Sequence, residues 1–266
     1  MTFAPVVAGS GLVAWRFLTR TYDAQIDTYA RSPAVTRDTG YFLEKITEVS
    51  TAADLVADRR LLQVALGAFG LQDDIDDRYF VRKILEDGTT SDDALAIRLT
   101  DQRYRDLSDA FGFGPGQSPN TGDIGAMTDL ADRFRVQMFE AAVGEQDNDM
   151  RVALYAQREL AELAADAVSE ETKWYTLMSL PPLRNMFETA LSLPSSFGQL
   201  DIEKQMEILR DKTAGVLGDN TVSQFSDPQK LSDFTDRFLM QAQIRDARQA
   251  ASPQAVALSL LRANQA

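Results

Sequence analysis

The sequence predicts an all-α protein, a compact multi-helix chain built from two degenerate copies of one helical unit. Three observations carry this expectation. Apolar residues recur every three or four positions along nearly the whole chain, helix-start and helix-stop residues punctuate that pattern, and short blocks of the first half return in the same order in the second. No run of strict apolar-polar alternation bounded by turns is present to indicate a strand.

The elements follow in order. Residues 1–14, with "FAPVVAGSG", offer neither stripe nor cap and are expected to form a flexible N-terminal tail. Trp15, Leu18, Tyr22, Ile26 and Tyr29 then lie on one helical face. "RSPAV" ends that helix and starts the next, with Ser32 at the cap and Pro33 in the first turn, where its missing amide costs nothing. Tyr41, Phe42, Ile46 and Val49 form the second stripe. In "ADRRLLQVALGAFGL", Leu62, Leu66 and Phe69 share a side, and Ala65, Gly67, Ala68 and Gly70 between them permit close helix approach or end a helix. "LQDDIDDRYFVRKILEDG" opens with Asp73, Asp74, Asp76 and Asp77 and closes with Gly88. Carboxylates at the positive end of a helix and glycine past its C-terminus predict a capped helix.

"GPGQSPNTGDIGA", residues 114–126, is dense in Gly, Pro, Ser and Asn and reads as the linker between the two units. Helical pattern resumes at Leu130, Phe134 and Met138 and continues through Val152, Tyr155, Leu160 and Leu163 to "ETKWYTLM". "SLPPL" and "LSLPSSFG" break it before "DIEKQMEILRDK", and "SDPQKLSDFTDRFLMQ" gives a capped helix with Leu231, Phe234 and Phe238 aligned. The expected organisation is a tail over 1–14, a first helical repeat over 15–113, a linker over 114–126, a second repeat over 127–240 and a C-terminal helical tail over 241–266, packed as one body.

The repeat rests on three blocks. "ILED" at 84–87 falls on "ILRD" at 208–211, "DALAIRLTD" at 93–101 on "DNTVSQFSD" at 219–227, and "DLSDAF" at 106–111 on "DFTDRF" at 233–238, so the offset drifts only from 124 to 127. "RDTGYFLEKITEV" against "RVALYAQRELAEL" extends the match upstream. This alignment pairs Leu85 with Leu209, Leu99 with Phe225 and Phe111 with Phe238. Convergence of acidic caps and apolar stripes would explain each block separately, and explains their shared order less well.

Composition narrows the chemistry. Forty acidic residues against 27 basic give a net charge of −13, which repels nucleic-acid backbones and anionic membrane surfaces; neither nucleic acid nor membrane insertion is expected. With no cysteine and no histidine, thiolate nucleophiles, imidazole bases, the Ser-His-Asp triad and the usual zinc ligands are absent. The aspartates at 73–77 lack the calcium-loop pattern and read as a solvated helix start, as does "EQDNDM" at 145–150. "GFGPG" from Gly112 and "AGSG" from Ala8 lack the Lys-Ser/Thr ending of a phosphate loop. No catalytic, cofactor-binding or metal-binding residue is assigned, and no cofactor is expected. A non-enzymatic structural or interaction protein is the primary expectation. A carboxylate- or metal-dependent enzyme acting on a small substrate is the alternative.

"ADRRLLQVALGAFGL" and "RYRDLSDAFGF", together with the N-terminal "GLVAWRFLTRTYDAQIDTYARSPAVTRDTGYFLEKI", resemble an uncharacterised family found in alphaproteobacterial flagellar gene clusters, whose members are sometimes labelled basal-body rod proteins or flagellar proteins. The resemblance covers most of the chain and is strongest over residues 15–113. It implies an all-helical fold and a place in flagellar assembly or structure, with flagellar or motility proteins as partners and a cytoplasmic or flagellum-associated location. It brings no catalytic residues.

Overall fold

The computed structural model describes residues 4–251, and every regular element among them is a helix. In chain order these are α1 (Gly11–Ala30), α2 (Pro33–Lys45), α3 (Ala52–Ala57), α4 (Arg59–Ala68), α5 (Arg78–Asp87), α6 (Leu95–Arg98), α7 (Arg103–Phe111), α8 (Ile124–Gly144), α9 (Asn148–Ala165), α10 (Glu170–Ser179), α11 (Pro181–Ala190), α12 (Ile202–Leu217) and α13 (Pro228–Ala250). Short 3-10 turns separate several of them, at Gln72–Asp76, Asn120–Gly122, Ser195–Gln199 and Ser223–Ser226 among others.

Two compact units divide the chain. One comprises Leu18–Gln146 with the N-terminal stretch up to Val6, and the other Val7–Phe17 with the chain from Asp147 onward. The seam therefore falls at Gln146/Asp147, and residues 114–126, expected as the linker, lie inside the first unit. The physical reason is close backbone approach. A Cβ on Gly114 would stand 2.5 Å from the Gly88 Cα, and buried Thr121 donates its hydroxyl to the Val49 carbonyl at 2.6 Å. Glycine and small polar residues here close a turn against the core and do not loosen a tether.

The N-terminal stretch also departs from expectation. α1 starts at Gly11, Pro5 is buried, and Val6 is clamped at both backbone groups by Gln25. Its amide donates to Gln25 Oε1 at 2.7 Å, and its carbonyl accepts from Gln25 Nε2 at 3.2 Å. Gln146 Nε2 adds a bond to the Pro5 carbonyl at 2.6 Å. A segment with neither stripe nor cap is held by amide side chains that mimic a strand partner. At the other end, α13 carries residues 241–250 of the expected helical tail; residues 252–266 lie outside the described residues.

In the first unit, α4 packs against both α8 and α2. Phe42, Ile46, Leu62, Leu66, Leu85, Leu107 and Phe134 join one buried cluster. Gly67 sets the α4–α8 approach, since a Cβ there would lie 2.7 Å from two carbons of the Phe134 ring. The stripe expected on α1 is seen: Trp15 and Leu18 are buried, and Tyr22 and Tyr29 meet the Phe139 ring edge-on at 5.5 and 5.7 Å. In the second unit, α9, α11 and α13 pack mutually. Phe187 stands at the centre, with Trp174, Phe225 and Phe234 at centroid distances of 5.7, 5.6 and 4.6 Å. Such ring pairs add about 0.5–1.5 kcal/mol each beyond the area they bury.

The caps are mixed. Asp123, Asp147 and Asp227 accept bonds from first-turn amides of α8, α9 and α13, and Thr51 with Asp54 forms a reciprocal capping box on α3. Ser32 occupies the cap position of α2, with Pro33 following as expected, but its side chain makes no capping bond.

Candidate functional site

The aspartates at 73–77 are not a cap. Gln72–Asp76 form a 3-10 turn, and Asp77, at the cap position of α5, makes no side-chain capping bond. Asp76 instead pairs with Arg59 at 2.6 Å, which holds its carboxyl below the usual range, and Asp74 accepts from the Tyr104 hydroxyl at 2.8 Å. Burial and that bond push the Tyr104 phenol up. Among the described residues no group of three or more acidic side chains is placed to hold a metal ion. Of the two glycine-rich stretches, "GFGPG" ends α7, with Gly112 in the left-handed conformation, and "AGSG" leads into α1. "EQDNDM" starts α9 with Asp147 as cap.

A buried polar cluster in the second unit was not anticipated. Lys173 on α10 is 3% exposed and donates to the Ala164 carbonyl and to Ser223 Oγ, both at 2.7 Å. The Glu170 carboxylate accepts from the amides of Val222 and Ser223 and from the Ser223 hydroxyl. Serine beside a buried lysine resembles a nucleophile-base pair, but here both amides that would steady an oxyanion are already bonded to Glu170. The cluster fastens the 3-10 turn at Ser223–Ser226 to α10. Trp174 Nε1 helps, donating to the Asn220 carbonyl at 3.0 Å.

A groove with room for a ligand lies between the C-terminal end of α11 and α13, also in the second unit. It encloses about 510 Å³ and is lined by Thr189, Ser192, Leu193, Gln241, Arg245 and Arg248 among others, a volume within the range of ligand-binding clefts. Its rim is shaped by how α11 ends. Ser192 takes φ +52, the only positive φ outside glycine among the described residues. Its amide donates to the Thr189 carbonyl at 3.0 Å, and the Leu193 amide reaches back to Glu188 at 2.8 Å. This is a left-handed helix stop, usually given to glycine because a Cβ there is strained. Arg237 Nε fastens α13 to this end through the Ala190 carbonyl at 2.8 Å.

Charge in the groove is unevenly spent. Arg245 donates to both Asp149 oxygens at 3.0 and 3.2 Å and pairs with Asp246 at 3.0 Å. Burial raises the Asp149 carboxyl, and Arg245 pulls it the other way. Glu188 is held by Arg184 at 2.8 Å. Arg248 is exposed and forms no ion pair among the described residues. A second hollow of about 260 Å³ lies nearby, lined by Asp147, Asp149 and Asp246. The first is spent on capping, the other two on Arg245.

The sequence profile of a family described as "Protein of unknown function (DUF1217)" matches residues 68–231, more than half of the chain. The chain belongs to this family. The DUF1217 match begins in α4 and ends in α13, so it takes in the Gln146/Asp147 division and the α11 side of the groove. The DUF1217 chain is also similar to a solved structure, the X-ray crystal structure of protein AGR_C_984 from Agrobacterium tumefaciens. The two are 23% identical, with 91% of this chain and 99% of that one covered and a TM-score of 0.72. That likeness shows a shared fold. No curated protein matches the chain.

Proposed function

We propose that this DUF1217 protein is a non-enzymatic interaction component associated with the bacterial flagellum, an assembly factor or an exported component, built from two copies of one helical unit. The observation that carries the interaction reading is a set of partly exposed apolar side chains in the second unit. Val13 and Phe17 are 76% and 37% exposed one turn apart on α1, and Met240 and Ile244 are 48% and 37% exposed one turn apart on α13. Residues four apart share a helix face, so each pair forms an apolar stripe facing solvent. Arg16 is paired with Asp236, and a Cβ on Gly11 would meet the Gln243 side chain, so the two helices run side by side here. The flagellar assignment rests on the sequence resemblance.

The duplication reading gains support in a shifted alignment. "DIGAMTDLADRF" at 123–134 aligns with "DPQKLSDFTDRF" at 227–238 without a gap. Both begin with a capping aspartate that follows a 3-10 turn, and Met127/Leu231, Leu130/Phe234 and Phe134/Phe238 are buried pairs. Gly70 and Ser192 both turn left-handed at a helix end, each followed by a leucine amide bonded five residues back, Leu71 to Leu66 and Leu193 to Glu188. Leu85 and Leu209 are both buried. In this alignment Phe134, not Phe111, answers Phe238. α2, α4 and α8 answer α9, α11 and α13, and α6–α7 is an insertion carried by the first copy alone, which leaves Leu99 without a counterpart.

Affinity capture from motile cells tests the functional reading. Wild-type chain should retain identified flagellar or motility proteins, and the pair Val13→Asp with Met240→Asp should lose them while its melting temperature stays within a few degrees. Capture of no such protein by the wild-type chain would remove the flagellar assignment.

A further inference from the structure

We propose that the groove between α11 and α13 is a docking seat for a helix of a partner protein that begins Asp-x-Arg, the arginine binding at Ser192 and the aspartate at Arg248. The inference rests on the duplication reading above, because the first unit contains the same seat already filled from its own chain.

There, the turn after α4 passes through Gly70, and Arg103 at the start of α7 donates from Nη1 to the Gly70 carbonyl at 2.5 Å. A Cβ on Gly70 would be 3.4 Å from that nitrogen and 3.4 Å from Oε1 of Gln137 on α8. Asp101, two residues earlier, grips the same guanidinium at 3.0 and 2.7 Å. In the second unit the counterpart of Gly70 is Ser192, and the counterpart of Gln137, at the offset that pairs Phe134 with Phe238, is Gln241. Both line the open groove. Among the described residues no segment corresponding to α6–α7 enters it, and nothing donates to the Ser192 carbonyl.

The seat's chemistry selects the occupant. The Ser192 carbonyl, which accepts no bond among the described residues, and the side-chain oxygen of Gln241 are acceptors a guanidinium can use. Arg248, unpaired among the described residues, asks for a carboxylate nearby. Leu193 and the partly exposed Ile244 give apolar floor to the first turn of a helix. An acidic residue two positions before an arginine, leading a helix, meets all three needs; the first unit shows the arginine arm, with Asp101 steadying Arg103 at the start of α7, while Arg248 is answered there by Gly144 and is particular to the second unit. A second copy of this chain is disfavoured as donor because its own Asp101 and Arg103 are committed inside its first unit.

The probe is a synthetic peptide of residues 99–113, "LTDQRYRDLSDAFGF", fluorescently labelled and titrated with the full chain. Saturable binding is expected, with a dissociation constant on the order of tens of micromolar for so small a contact. Arg103→Ala in the peptide, or Arg248→Ala in the protein, should weaken it at least tenfold, and Arg248→Ala should leave the circular dichroism and melting temperature of the protein unchanged. Absence of saturable binding, or binding indifferent to both substitutions, overturns the proposal. Concentration-dependent dimers in sedimentation that Arg248→Ala dissolves would assign the groove to a second copy and overturn the partner form. The duplication reading is judged separately. If the Gly70 and Ser192 turns fail to superpose when α2–α4–α8 is fitted to α9–α11–α13 in an experimental structure, that reading falls whatever the titration gives.

Discussion

Gly67 and Gly40 offer a paired test of whether close helix approach, and not helix propensity, fixes the first unit's core. Both are helical glycines, Gly67 in α4 and Gly40 in α2. A Cβ on Gly40 meets nothing within 4 Å, whereas one on Gly67 falls 2.7 Å from Cδ2 and Cε2 of Phe134. Alanine should gain about 0.8–1.0 kcal/mol from propensity at either position. At Gly40 nothing opposes that gain. At Gly67 the added methyl pushes on an aromatic ring that is 2% exposed and cannot swing into solvent, and overpacking of this kind costs about 1–3 kcal/mol. Gly40→Ala should therefore stabilise by roughly 1 kcal/mol, and Gly67→Ala should fall about 1–3 kcal/mol below it.

Equilibrium urea denaturation at unchanged slope reads both values. A double-mutant cycle with Phe134→Leu then asks whether the ring is the obstacle. Trimming it should make Gly67→Ala less costly, with a coupling of about 0.5–3 kcal/mol as befits residues in contact. Equal stabilisation by the two alanines, or strict additivity in the cycle, would refute the packing account of the α4–α8 contact.

Other outcomes follow from single features. Ser192→Gly should stabilise by about 1 kcal/mol, because it relieves a left-handed residue that carries a Cβ, and Gly70→Ala should cost a similar amount; thermal melts read both. Lys173→Met should destabilise by about 2 kcal/mol, since the buried Ala164 carbonyl loses its donor, and an unchanged urea midpoint would show the cluster to be decorative. Asp54 is held below its ordinary value of 3.8, first by the Thr51 hydroxyl and then by backbone amides. Its contribution to stability is complete above 3.8 and is lost as pH falls through the lower folded value, so the melting-temperature gap between wild type and Asp54→Asn should close on acidification in that window.

Much of the architecture was legible because it is written in side-chain periodicity. The α1 stripe, the Gly67 approach and the proline-led starts of α2 and α13 all depend on spacing that sequence displays directly. What was missed depends on partners distant in the chain. Nothing in "FAPVVAGSG" announces that Gln25 will clamp Val6, and the pairing of Asp74 with Tyr104 or Asp76 with Arg59 spans 30 and 17 residues. The stretch at 114–126 misled because Gly and Pro mark both loose tethers and tight turns, and only the neighbours, here Gly88 and Val49, tell them apart. The groove was invisible for a related reason. A lone serine in "LSLPSS" carries no signal until "ALGAFGL" is laid over "FETALSL", which puts Ser192 where a glycine belongs.

If the two units are copies of one, that substitution bears on how they came to differ. The left-handed stop after α11 works best with glycine, as it does at Gly70, and a serine there bears strain of roughly 1–2 kcal/mol. A position with no task would be expected to drift back toward glycine's ease, or toward asparagine. Ser192 instead lines an open groove together with Gln241 and Arg248, the latter without an ion pair among the described residues. In the first copy the corresponding wall is sealed by Arg103, so a side chain at Gly70 would have only that guanidinium and Gln137 to meet. On the duplication reading, strain is found in the unit whose groove is open and is absent from the unit where Arg103 fills the corresponding place, as expected if the second seat is kept for a docking partner.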